Sequence, residues 1–566
     1  MLDTVSSTLA RELKIPHLVA RFLVSRGVCN VVAASRILNE GDDAELSPWG
    51  IKGMEDAVRW LLDVREKKQK IFIFGDYDLD GMTSVTLLSR SFAQIGIETE
   101  WRLPNRFGDG YGLSISAVDE MYEAGARYVV TVDTGITAND EIAHAKELGM
   151  HVMVIDHHQP SGDALPPSDV LLDPHQEGDS YLNPELCGVG VSYKFICALY
   201  ERLGMPSPAE MLDLVALGTL ADLVQMTPEN RMFTKKGLRR LQESRLPGIQ
   251  ALYTSLMKPG SCVGGIDVMY KIAPLLNAPG RMEKPDPALK LLLCPDSTSA
   301  PQLLSELKEW NTKRKQKEAE ITEEMAMKRV KEIYGDKIPT VLVVDGHDWH
   351  VGVIGIVSAK LAQEFSRPAA VLSIVDGEAH ASARAVPGFN WHRALHESRG
   401  LFDRWGGHAN AAGFSLSADK IDELRSRLEV SAKEQGYTGE MPAECETRGY
   451  DIVVALRELV VEGTRTRIYK TVLDYFDCME PFGGNFPYPV FRAENVTVHK
   501  VKELRGGHLQ MEISQAGSPV FSVIAFGLGK CKEKLKESRK ASVVFEPTWN
   551  YFNNKKTMQL CIKSIE

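Results

Sequence analysis

Three short apolar runs, each followed by an aspartate, constrain this chain more than any other feature. Ile71-Phe72-Ile73-Phe74 leads into Asp76-Tyr77-Asp78-Leu79-Asp80-Gly81. Tyr128–Val132 ends at Asp133-Thr134-Gly135, and His151–Ile155 ends at Asp156-His157-His158. A further strand-like run covers 99–103, and helix-like stretches cover 57–68, 83–95 and 138–148. Apolar strands alternating with amphipathic helices predict βαβ units and a parallel sheet. In such sheets the ligand crevice lies beyond the carboxyl ends of the strands. Three acidic motifs are thereby placed at one rim. A fourth carboxylate, Asp222, follows the apolar helical run 211–220.

Hard divalent cations take oxygen ligands, and manganese also accepts imidazole. Asp76, Asp78 and Asp80, two residues apart, can address neighbouring cations, with Asp133 as a bridge. His157 adds a nitrogen and Asp222 closes the shell. Taken singly, each motif has a plainer account. Asp76–Gly81 resembles an acidic turn or a calcium loop, although no glutamate closes it and a strand precedes it. Asp133 alone reads as a helix N-cap, as does Asp156. His157-His158 reads as a surface pair. Four such coincidences, three of them at a sheet rim, are harder to accept than one site for two cations.

The bulk composition excludes some classes. No apolar run approaches the ~20 residues that span a bilayer. The N-terminus, Met1-Leu2-Asp3-Thr4, lacks the layout of a secretory signal, and the nine cysteines form no CxxC pair. Reduced thiols in a cytoplasmic protein are the expectation. The net charge of -10 argues against a large basic surface but leaves room for a local basic groove.

At 566 residues several units are expected. We divide the chain into a helical lead-in (1–55), the acidic α/β unit (56–235), a helical linker (236–337), a smaller α/β unit (338–435) and a β-rich end (436–566). Within the linker, 299–334 is one polar helical stretch carrying Lys313-Arg314-Lys315-Gln316-Lys317, which we read as a solvated helix between domains. In the smaller unit a helix is expected over 354–365. Five short strand-like runs after 490 suggest an OB-type barrel.

The order of motifs resembles the DHH phosphoesterases, and the detail resembles the RecJ single-strand-specific exonucleases. The DHH motif is Asp156-His157-His158. The likeness extends to Leu103-Pro104-Asn105-Arg106-Phe107, Asp109-Gly110-Tyr111-Gly112-Leu113-Ser114, Cys187-Gly188-Val189-Gly190-Val191, Asn277-Ala278-Pro279-Gly280-Arg281-Met282 and Gly406-Gly407-His408-Ala409-Asn410-Ala411-Ala412-Gly413. It implies a parallel-sheet DHH domain, a DHHA1-type second α/β domain and a C-terminal OB-type barrel. It further implies a two-metal 5′→3′ exonuclease that degrades single-stranded DNA to 5′-mononucleotides in repair and recombination, with two divalent cations, Mn²⁺ or Mg²⁺. Asp78, Asp133 and Asp76 would hold one cation, and Asp80, Asp133, His157 and Asp222 the other. His158 would sit beside the scissile phosphate or support the metal ligands, and Asp133, His157 and His158 are the catalytic candidates. The chain departs from the family at Leu79, where a small residue is usual, and at Pro279, where alanine is common.

The resemblance also implies a grip on the 5′-phosphate by the second domain. Ser382, Arg384, Gly407, His408 and Asn410 are the candidates, with Arg281 reaching in from the linker; close helix packing is the plainer account of 406–413. In the barrel, Trp549 and Tyr551, near a turn, are the candidates for stacking on bases. Single-stranded DNA is the implied partner, with a helicase and a single-strand-binding protein as further ones and no membrane. A phosphodiesterase for oligoribonucleotides or cyclic dinucleotides is the rival enzyme, and a non-catalytic replication scaffold the rival from another class. The added barrel argues against the first, and the full set of motif carboxylates against the second.

Overall fold

A computed structural model of the chain describes residues 2–39, 42–104, 112–160, 164–258, 261–282, 285–407, 409–439, 449–461, 471–483, 486–552 and 555–566. Asn105, Arg106, Phe107, Asp109, Gly110, Tyr111 and His408 therefore lie outside the described residues.

The first sheet carries β1 (Ile71–Gly75), β2 (Thr99–Arg102), β3 (Tyr128–Val132), β4 (His151–Ile155) and β5 (Val170–Leu172). Its order is β2-β1-β3-β4-β5 and every pairing is parallel. β1 and β3 are buried along their whole length, as both faces of the sheet are covered by helices. The chain steps from β1 outward to β2 and returns to the far side of β1 as β3. That reversal creates a switch point between β1 and β3, where a crevice opens at the carboxyl ends. Asp76 leaves β1 and Asp133 leaves β3 at this place.

The second sheet comprises β6 (Leu342–His347), β7 (Ala369–Val375), β8 (Glu378–Arg384), β9 (Arg404–Gly407) and β10 (Ala411–Ser417), in the order β6-β7-β8-β10-β9. Only β6 and β7 pair in parallel. The Gly406–Gly413 run forms the β9–β10 hairpin, so helix packing does not explain its glycines. The helix between β6 and β7 starts at Val351, three residues earlier than expected, because His350 caps it by accepting from the Gly352 amide at 3.1 Å.

The third sheet, β11 (Ile452–Val453), β12 (Phe491–Leu504), β13 (His508–Ser514), β14 (Phe521–Ala525), β15 (Lys540–Phe552) and β16 (Lys555–Ile565), closes through β12–β15 into a barrel of the OB type. Its core is shared with the first helices of the chain. Phe22, on the His17–Ser25 helix, meets Phe476, Phe486 and Phe491 edge-on at 5.6–6.3 Å. The two ends of the chain thus form one hydrophobic unit.

Buried cations on the Pro228–Leu241 helix join that unit to the first domain. Arg231 Nη1 donates to the carbonyls of Met479 and Pro481 at 2.9 and 3.0 Å. Lys235 Nζ donates to the Ile37, Asn39 and Cys478 carbonyls. The polar stretch 299–334 is helical, with a π-helical passage at Glu320–Ala326, but it is not simply solvated: Leu304, Leu307, Arg314 and Ile321 are buried. Among the described residues no helix is long and apolar enough to cross a membrane.

The Leu212–Ala221 helix, which delivers Asp222, packs on the Pro228–Leu241 helix at Gly237. A Cβ there would lie 2.0 Å from the Leu212 carbonyl oxygen and 2.6 Å from Ala216 Cβ. Gly237→Ala should therefore lower the unfolding free energy by about 1–3 kcal/mol, read as a lower urea midpoint. An unchanged midpoint would show that this contact yields.

Candidate metal centre

The acidic motif after β1 is helix rather than loop beyond Asp78. The helix runs Leu79–Gln94 because Asp78 caps it, its Oδ1 accepting from the Asp80 and Gly81 amides at 2.9 and 3.3 Å. Expecting the helix only from residue 83 ignored that cap. Leu79 is fully buried in the hydrophobic core, so its bulk stays off the polar face. Asp80 falls in the first turn and is 1 % exposed. Its two oxygens accept from the Gly188 and Val189 amides at 2.6 and 3.0 Å, at the start of the Gly188–Arg202 helix. Amides and dipole at a helix N-terminus suit an anion there.

Asp133 is no helix cap. It sits in the left-handed region at φ 57°, where few residues but Asn, Asp and Gly are tolerated. Its amide donates to the Ile155 carbonyl at 3.0 Å, extending the sheet by one bond. Glycines leave room around these carboxylates. A Cβ at Gly188 would lie 2.7 Å from Asp133 Cβ, and one at Gly218 would lie 2.5 Å from Asp80 Oδ1.

Asp156 organises its neighbours. Its Oδ2 accepts from the Ile136 amide at 2.9 Å, and its Oδ1 accepts from the His157 amide at 2.7 Å and pairs with His158 Nδ1 at 2.7 Å. Burial works against ionisation, but the His158 charge outweighs it and holds the Asp156 carboxyl down to about 2. Burial works against His158 protonation too, yet Asp156 pushes its pKa up to about 10.

The remaining groups converge. His157 Nε2 lies 3.1 Å from Asp133 Oδ1, 3.7 Å from Asp222 Oδ2 and 3.9 Å from Asp80 Oδ2. Three sets each bring one ligand atom per residue within 4.8 Å: Asp76 with Asp78 and Asp133, Asp80 with His157 and Asp222, and Asp133 with His157 and His158. Burial, then the Asp78 charge, pushes Asp80 up to about 6. Burial and the neighbouring aspartates raise Asp133 and Asp222 well above the carboxylate range. Asp80, Asp133 and Asp222 hold on to protons because ionising buried carboxylates together is unfavourable. Divalent cations supply the countercharge that this donor set lacks, and oxygen with one imidazole is a donor set that manganese and magnesium accept.

A second locus gathers the expected phosphate residues around the start of the Val351–Phe365 helix. A Cβ at Gly355 would lie 2.8 Å from Ser382 Oγ and 3.2 Å from Arg384 Nη2, and one at Gly352 would lie 1.6 Å from the Arg281 carbonyl oxygen. Arg384 Nη1 donates to the Ala383 carbonyl at 2.8 Å and lies 3.3 Å from Ser382 Oγ. Asn410 accepts from the Ala385 amide through its carbonyl at 2.9 Å, beside Arg384. Gly407 has φ 132°, and a Cβ there would meet Ala411 O at 2.5 Å. The short Ala278–Met282 helix lies between the two loci, since Gly280 faces the Tyr77 carbonyl on the metal side. Gly188, Gly218, Gly352, Gly355 and His350 were not singled out from the sequence as site residues. A glycine repeated at the first turn of a helix that follows a strand is the signal that could have found Gly352 and Gly355.

Trp549 and Tyr551 lie in the last residues of β15, beside the hairpin end that leads into β16. Trp549 Nε1 donates to both Asp477 oxygens at 3.1 and 3.0 Å, and Lys556 Nζ lies 4.0 Å from its ring centroid. Strand pairing with β16 and this polar clasp fix Trp549 in place.

Comparison with known proteins agrees with this architecture. The DHH family N-terminal domain matches residues 70–219, the DHHA1 domain 335–434 and the RecJ OB domain 464–564. The chain is 35% identical to the single-stranded-DNA-specific exonuclease RecJ of Bacillus subtilis, over 99% of this chain and 69% of that protein. It is 30% identical to the Escherichia coli protein of the same name, over 99% of this chain and 98% of that one. It superposes on the crystal structure of Thermus thermophilus RecJ in complex with Mn²⁺ with a TM-score of 0.81 and 25% identity, covering 100% of this chain and 78% of that one. Full-length relatedness, three domain matches in the same order and a shared fold place this chain in the RecJ family of DHH phosphoesterases.

Proposed function

We propose that this chain is a two-metal 5′→3′ exonuclease acting on single-stranded DNA. The observation that carries the reading is the convergence of five carboxylates and His157 at the β1–β3 switch point, with Asp133 common to two of the ligand sets. Asp76, Asp78 and Asp133 would hold one divalent cation, and Asp80, His157 and Asp222 the other. When bound, the cations activate a water as nucleophile and stabilise charge developing on the phosphorus oxygens. His158, protonated through its pairing with Asp156, faces the phosphate and offsets part of its charge. Ser382, Arg384, Arg281 and the amides at the start of the Val351–Phe365 helix receive the 5′-phosphate, with Gly407 and Asn410 shaping the adjacent hairpin; His408, outside the described residues, is a further candidate. A phosphate held at a fixed distance from the cations sets the length of the product at one nucleotide. The barrel favours a long strand over a dinucleotide as substrate. A helicase and a single-strand-binding protein are the partners such an enzyme calls for.

Asp133→Asn keeps a residue that tolerates positive φ. It should lower kcat on a labelled strand by about 10³-fold or more, about 4 kcal/mol of barrier, with the thermal midpoint little changed. His157→Ala should do the same, and substantial residual turnover in either variant would refute the ligand assignment. Arg384→Ala should reduce the preference for a 5′-phosphorylated over a 5′-hydroxyl strand by roughly tenfold or more. Equal rates on both strands in the unaltered protein would remove that role.

The raised carboxylates give a pH signature. Asp80 ionises at about 6 in the fold, above its usual value of 3.8, so its ionisation costs stability as pH rises through that range. Cations remove that cost. The rise in thermal midpoint on adding manganese should therefore grow between about pH 5 and pH 7.5. An increment independent of pH would contradict the crowded-carboxylate account.

A further inference from the structure

The lysine-rich part of the long interdomain helix has no role in the reading above, yet it lines a cleft of about 680 Å³. The walls come from the Ala300–Ala319 helix, from residues 270–275 and from Ile356 and Lys360 on the Val351–Phe365 helix. Five cations face it, Lys271, Lys308, Arg314, Lys315 and Lys360, against one carboxylate, Glu318. That surplus stands out in a chain whose net charge is -10. Glu318 is already engaged by Arg314 at 2.5 Å and Lys360 at 2.9 Å, and Lys271 by Asp267 at 2.5 Å. Lys308 and Lys315 are exposed, two helical turns apart, and have no carboxylate within 4.0 Å among the described residues. Tyr270 stands at the same cleft, 76% exposed.

The cleft lies between two surfaces that a strand would use. Next to Tyr270, Met269 faces Gly483, in the segment leading to the barrel: a Cβ on Gly483 would lie 3.2 Å from Met269 Cε. On the other wall, Ile356 is one turn along the helix from Gly352, which abuts Arg281. Exposed cations that lack carboxylate partners attract phosphates, and an aromatic face accepts any base.

We propose that this cleft is a subsite for single-stranded DNA, in which Lys308 and Lys315 hold backbone phosphates and Tyr270 stacks a base at a distance from the scissile bond. The proposal rests on the polymer-exonuclease reading and extends it to strand length. Long strands gain contacts here that short ones lack.

The test uses the full chain with Asp133→Asn, so that binding is read without cleavage. Affinity for a 5′-phosphorylated strand of about 20 nucleotides is measured by fluorescence anisotropy across a salt series. Adding Lys308→Gln and Lys315→Gln should make the log–log salt slope shallower by about 1.4, two phosphates at about 0.7 each. Affinity at low salt should fall about tenfold, while Arg at both positions should restore the slope. Tyr270→Ala should weaken binding with the slope unchanged, and Tyr270→Trp should restore it. An unaltered slope and affinity in the double Gln protein, at an unaltered thermal midpoint, would overturn the proposal. So would weakened binding of free dTMP with strand binding intact, which would mark a mononucleotide site instead. Release of mononucleotides from a trinucleotide by the unaltered chain with manganese reports the metal centre separately. Loss of that release sinks the nuclease reading, whereas an unchanged salt slope with release intact sinks the cleft alone.

Discussion

Mutual repulsion among carboxylates forced together at the β1–β3 crevice governs this structure. Asp76, Asp78, Asp80, Asp133 and Asp222 arrive from two strand ends, a helix start and a helix end. Left to themselves such like charges would separate. The fold spends a distinct device on each approach. Asp78 caps the helix that carries Asp80, and Asp80 is held by two amides at another helix start. Asp133 is fixed in a left-handed turn that admits only glycine at residue 188, as Asp80 admits only glycine at residue 218. Such strain persists only where the surroundings over-determine it, and it clusters at functional sites.

The histidine pair divides the labour. His157 points into the carboxylates, while His158 is committed to Asp156 through Nδ1. Asp156 itself belongs to none of the ligand sets. It is the buried anchor that aims both rings. A motif that reads as three equal polar residues is therefore one scaffold residue, one ligand and one charged neighbour.

Legibility from sequence followed locality. Asp76, Asp78, Asp80, Asp133 and His157 could be read because continuous apolar runs mark the strands that end beside them. Asp222 carried a weaker mark, an apolar helical run ending beside it rather than a strand. Gly188 and Gly218 were invisible as site residues because their role is to be absent at Asp133 and Asp80, contacts formed across about 55 and 138 residues of chain. The union of the first helices with the barrel was equally hidden, because Phe22 and Phe476 meet across the whole length of the chain. Trp549 shows the same limit: its strand is legible, but the distant Asp477 that takes its ring nitrogen is not. The lysine run at 313–317 read as solvated because periodicity does not reveal that neighbouring helices fold a cleft around it.

Anomalous scattering from crystals grown with manganese tests the central claim most directly. The account predicts two peaks about 3.5–4 Å apart, one against Asp76 and Asp78, the other against Asp80, His157 and Asp222, with Asp133 touching both. A single peak, or manganese bound away from Asp133, would contradict it.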